Sequence, residues 1–98
     1  MVFFWMKDPG NVKHEEKFEA SLKKFIDGSP QVLTQHIGRA AGTDREVVDN
    51  SYQYCLVVTF ASSGDHDVYQ ADPAHHAFIE ECKDLWDRVQ VYDSILLG

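Results

Sequence analysis

The sequence predicts an α+β domain with helices packed on one face of an antiparallel sheet. Two observations lead there. Strand-like and helix-like apolar patterns follow one another in the order strand, helix, strand, strand, helix, strand. One segment, Tyr52 to Phe60, alternates cleanly, with Tyr52, Tyr54, Leu56, Val58 and Phe60 on one face and Gln53, Cys55, Val57 and Thr59 on the other.

The elements follow in chain order. Val2 to Met6 is strand-like in composition but does not alternate with polar residues, so both faces of that strand need cover. Asn11 suits the N-cap of a helix running to about Asp27, in which Phe18, Leu22, Phe25 and Ile26 form one apolar stripe. Gly28, Ser29 and Pro30 stop it. Gln31 to Ala40 carries a weaker strand pattern through Val32, Leu33 and Ile37. Ala41 to Asn50 is polar and charged and reads as an exposed loop. After the Tyr52 strand, Ser62 to Asp65 has the form of a capping box and opens a short helix through Tyr69.

Pro73 breaks the helical region that follows, because it lacks an N–H and restricts the residue before it. The short helix should end near Ala71. A second should start with Asp72 as N-cap and Pro73 at its first position. It is expected to reach about Asp87 and to bury Phe78, Cys82, Leu85 and Trp86, with Val89 to Leu96 as the closing strand.

The chain has 98 residues, 44% hydrophobic and 26% charged, which suits one soluble domain spanning 1–98. The net charge is −7, and the longest basic run is Lys23-Lys24, so binding to a phosphate backbone is not expected. The apolar start, Met1 to Met6, is too short for a signal sequence or a membrane span. Cys55 and Cys82 lack CxxC or metal-like spacing, which points to a reduced, cytoplasmic setting. No metal or other cofactor is implied.

The element order is the split β-α-β repeat of ferredoxin-like domains. Helices cover one face of such a sheet. Phe3, Trp5, Val57 and Tyr92 fall on the other, and an exposed apolar face of that size calls for a partner. The simplest partner is a second copy, packed sheet to sheet as a homodimer.

The break at Asp72 also sets two polar groups together. His75 lies in the first turn of the second helical piece, where the helix dipole opposes an imidazolium and keeps the ring neutral. Tyr69 comes from the last turn before it. A neutral imidazole beside a phenol suits general acid–base work. The simpler expectation is that both side chains are core residues with their polar tips satisfied.

With order and motifs in place, the whole chain resembles the stress-responsive A/B barrel (Dabb) family of dimeric α+β barrels. The resemblance is carried by Val2 to Met6, by Tyr52 to Phe60, by Tyr69 with the segment Asp72 to Phe78, and by Leu85 to Asp93. The family usually has a His where this chain has Asp72. It also commonly has a His ahead of the first strand, a position where this sequence starts at Met1. Some members are cyclases that close a ring on a linear polyketide by aldol chemistry, using a Tyr and a His at positions matching Tyr69 and His75. The resemblance then implies a pocket between sheet and helices, walled by Phe4, Phe18, Leu22, Leu56, Val58, Phe78, Trp86 and Val91.

Three function classes follow. One is an enzyme with His75 as general base and Tyr69 as donor to a developing oxyanion. Another is a binder of a small apolar ligand, or a haem-type binder with His75 or His76 as axial ligand. The last is a stress-linked dimer with no small-molecule site. His66, His75 and His76 match no established zinc spacing. Glu80, Glu81, Asp84 and Asp87 read as a solvated helix face, Cys82 as an inert core thiol, and Cys55 as buried on the dimer face.

Overall fold

β1 (Val2–Met6) lies in the interior of the sheet, with Phe4 and Met6 buried and Val2, Phe3 and Trp5 half-buried. The computed structural model describes residues 1–97. It shows α1 (Val12–Asp27), β2 (Thr34–Gly38), β3 (Tyr54–Thr59), α2 (Ser63–Ala71), α3 (Pro73–Cys82) and β4 (Trp86–Val91). The strands form one sheet in the order β2-β3-β1-β4, and every neighbouring pair is antiparallel. This is the ferredoxin-like α+β arrangement expected from the element order.

Register decides which side chains meet the helices. Phe4 pairs with Tyr54 on one side and Val89 on the other, and Leu56 pairs with Val2 and with Ile37. These residues share the helix side of the sheet. Phe18, Leu22 and Ile26 of α1 and Cys82 of α3 are fully buried between the layers. Phe4 meets Phe18 edge to face at 4.9 Å.

The chain enters α1 through a turn in which Asn11 N–H donates to Asp8 O at 3.1 Å, with Pro9 and Gly10 at its centre. Gly10 has φ +86°, the left-handed value that the third position of a type II turn requires. The Asn11 side chain then accepts from His14 N–H and caps the helix. At the far end Gly28 keeps a negative φ. There the buried Ser29 hydroxyl donates to Phe25 O at 2.7 Å and satisfies a terminal carbonyl.

Four sequence-based boundaries are corrected. The strand pattern over Gln31 to Ala40 forms β2 only at Thr34–Gly38, with Val32 and Leu33 outside it. The strand expected over Tyr52 to Phe60 spans only Tyr54–Thr59. Gln53 accepts from Met6 N–H through its side chain, and Tyr52 leaves the alternation to pack against Phe3 and Trp5 on the helix-free face. The last helix ends at Cys82, not near Asp87. Leu85 N–H donates to Cys82 O and Leu85 O accepts from Lys7 N–H, so the chain turns while Leu85 stays buried. Trp86 thereby opens β4 opposite Met6. Ladder pairing and burial at this corner outweigh continued helix, which Asp84 and Asp87 favour weakly. Finally, β4 stops at Val91 and does not reach Leu96; Ile95, Leu96 and Leu97 are almost fully exposed.

Candidate functional site

The break between α2 and α3 is one residue long. Asp72 is extended, with φ −63° and ψ 132°, and its carboxylate accepts from Ala74 N–H at 2.8 Å. Pro73 fills the first helical position, where a missing N–H leaves nothing unpaired. Tyr69 from α2 and His75 from α3 consequently face each other across the kink, ring centroids 5.5 Å apart and edge to face. Phe25 of α1 touches both, at 5.3 Å from Tyr69 and 5.6 Å from His75.

A cavity of about 330 Å³ opens beside this pair. The strands contribute Val2, Phe4, Leu56, Trp86, Val89 and Val91; the helices contribute Phe25, Tyr69, His75, Phe78 and Ile79. None of these residues bears a fixed charge. Burial pushes the Tyr69 phenol up to about 12, so it remains protonated. Burial also lowers the His75 imidazole below its ordinary value, and the neighbouring His76 and His66 lower it further. Solvent exclusion is thus the leading cause of the lowered value. His75 Nδ1 is buried and has no hydrogen-bond partner among the described residues.

The walls differ from those expected. Phe4, Leu56, Phe78, Trp86 and Val91 line the cavity, whereas Phe18 and Leu22 are sealed in the core and Val58 packs against that core away from it. Trp86 reaches the cavity from β4, not from a helix. Val91 is a rim residue, 48% exposed. Val2, Phe25, Ile79 and Val89 also line it. Each carried a signal: Val2 and Val89 lie two positions from Phe4 and Val91, Ile79 lies four after His75, and Phe25 belongs to the α1 stripe.

The opposite face of the sheet holds Phe3, Trp5 and Val57 half-buried and Tyr92 exposed. Phe3 packs edge to face with Tyr52 at 4.9 Å and Tyr92 at 6.0 Å. The Arg88 guanidinium lies 4.3 Å above the Trp5 ring, and Trp5 Nε1 donates to Ser51. Cys55 is buried beside them at 8% exposure.

Among the described residues, no three His, Cys, Asp or Glu side chains gather as a metal site, and no helix is long and apolar enough to cross a membrane. His66 stacks at 6.4 Å on Tyr69, and His76 lies 6.0 Å from His75, so the histidines extend the aromatic cluster.

The family model of the stress-responsive A/B barrel domain matches residues 1–96. The chain belongs to this family. None of the curated proteins matches it significantly. Among solved structures, a Dabb family protein with a ferredoxin-like fold from Mesorhizobium loti superposes with a TM-score of 0.81 at 21% identity, covering 99% of this chain and 93% of that one. An Arabidopsis thaliana protein gives 0.76 at 20% identity, covering 99% and 94%. A dimeric ferredoxin-like protein of unknown function from Thermobifida fusca gives 0.72 at 17%, covering 91% and 80%. At these identities the likeness is one of fold. In this Dabb domain the Tyr69–His75 pair and its cavity therefore rest on the chain's own geometry.

Proposed function

We propose that this Dabb protein is a homodimeric binder of a small, mainly apolar molecule, one per subunit, held between the sheet and the α2–α3 kink. Tyr69 and His75 supply the polar contacts. The observation that carries the reading is a 330 Å³ apolar cavity touching both members of that pair, within the size range of small-molecule sites. A filled core would leave no such space beside a neutral imidazole and a protonated phenol. The dimer is supported by the aromatic surface of Phe3, Trp5 and Tyr92, and by the Thermobifida fusca neighbour's description as dimeric.

The test is a fragment titration followed by NMR, with the two tryptophan indoles as reporters. Trp86 lines the cavity and Trp5 lies on the opposite face. Small aromatic fragments should shift Trp86 and His75 while leaving Trp5 in place. Shifts confined to Trp5, or none at saturation, would overturn the reading.

A second reading uses the same pair for chemistry. With the imidazole neutral, His75 takes a proton from an activated carbon, and Tyr69 donates to the carbonyl oxygen as charge develops there. Removing either group would then cost about 10²-fold or more in rate with the fold intact.

A further inference from the structure

We infer that the cavity selects uncharged ligands with a single hydrogen-bonding group, such as small phenols or ketones, and rejects carboxylates of the same shape. This rests on the ligand-site reading above and names the chemistry that such a site would take.

The inference starts from the lining. Polar chemistry is confined to two adjoining side chains, Tyr69 and His75, and the remaining walls are aliphatic or aromatic. No Lys, Arg, Asp or Glu side chain lines the space. A carboxylate moved there would lose its water and meet no opposite charge, an arrangement that costs far more than burying a hydroxyl.

Neither of two nearby features offers compensation. The first is His75 as an imidazolium. Burial lowers its pKa, and the neighbouring His76 and His66 lower it further, so no imidazolium is held there to meet an anion. The second is the N-terminus of α3, which favours anions. The chain's own carboxylate already occupies it, through Asp72 to Ala74 N–H. A neutral hydroxyl or carbonyl makes no demand for charge. A phenol or ketone can exchange a hydrogen bond with Tyr69 or His75 while its ring lies among Phe25, Phe78 and Trp86. Phe25 and Phe78 are themselves stacked at 5.4 Å, a surface suited to an aromatic guest. A closed apolar cavity of about 150 Å³ accommodates benzene. The larger space here suits one ring with a short substituent.

Three probes of matched shape separate the possibilities: para-ethylphenol, ethylbenzene and para-ethylbenzoate. Each is titrated calorimetrically into the intact protein at about pH 7.5, where the carboxylate is ionised and an ordinary histidine is neutral. The phenol should bind tightest, with ethylbenzene about tenfold weaker for want of the hydrogen bond. The benzoate should be about 100-fold weaker than the phenol. Tyr69→Phe and His75→Leu should each narrow the gap between phenol and ethylbenzene, and either variant serves if the other fails to fold. Benzoate binding as tightly as phenol overturns the selection by charge but leaves the ligand site standing. Ethylbenzene matching phenol overturns the role of the polar pair. Binding by none of the three overturns both the selection and the site.

Discussion

The His75 imidazole meets the Tyr69 phenol edge-on, centroids 5.5 Å apart, because one extended residue, Asp72, separates the helices that carry them. A continuous helix would set these residues six positions apart along one axis, on different faces. The break turns a sequence separation into a contact, and the contact lines the cavity.

Asp72→Ala is therefore expected to weaken the kink. The carboxylate accepts from Ala74 N–H at 2.8 Å, and loss of an N-cap of this kind costs about 1 kcal/mol. Urea denaturation measures it: the midpoint should fall with an unchanged slope. Asp72→Asn, which retains the acceptor oxygen, should restore most of the loss.

Stability should depend on pH through His75. Its folded-state pKa lies below the ordinary histidine value, mainly from burial. Above about 6.5 the ring is neutral in both folded and unfolded chains and contributes no pH dependence. As pH falls through about 6.5 the unfolded chain takes up the proton first, so stability falls. Comparing wild type with His75→Leu by thermal melts from neutral to mildly acidic pH isolates this contribution. The wild type should lose stability more steeply, and parallel curves would assign the slope to other groups.

A polar contact ties α1 to the sheet. Tyr54 is buried, and its hydroxyl donates to Glu19 at 3.0 Å while Arg39 holds the same carboxylate at 3.3 Å. Burial, followed by the Glu19 carboxylate, raises the Tyr54 pKa strongly. Tyr54→Phe should cost about 1 kcal/mol, less than for a sealed pair because Glu19 keeps Arg39 and solvent. A double-mutant cycle with Glu19→Gln should show coupling between the two, and strict additivity would deny it.

The proposed dimer is tested on the helix-free face. Phe3→Glu with Trp5→Glu should give monomer or aggregate, since the two charges would stand on the surface that pairs. Light scattering distinguishes these states. A well-folded wild-type monomer at micromolar concentration would contradict the dimer.

How much of this was legible in the sequence varies by element. Strong local signals were sufficient for α1, where Asn11 and the Phe18–Leu22–Ile26 stripe agree, and for the Asp72–Pro73 break. The end of α3 was not legible. No Gly or Pro marks Cys82, and the stop comes from Leu85 bonding to Lys7 and Trp86 pairing with Met6, residues some eighty positions away. Tyr52 misled for a related reason, since its alternation with Tyr54 persists in sequence after the ladder has ended. For the cavity, strand parity identified Phe4, Leu56 and Val91 as facing the helices. It could not separate them from Phe18 and Leu22, because filling a core and lining a cavity require the same apolar side chains.

The central claim, that His75 serves a ligand and not the core, is tested most directly by one variant. Thermal denaturation of wild type and His75→Ala should be recorded with and without para-ethylphenol. Because Nδ1 is buried without a partner, removing the ring should cost less stability than an ordinary core truncation. The account predicts that the wild-type midpoint rises with the phenol, and that His75→Ala melts within a few degrees of wild type but shows a clearly smaller rise. A variant destabilised by about 1–3 kcal/mol, with the phenol raising both midpoints equally, would contradict it and return His75 to the core.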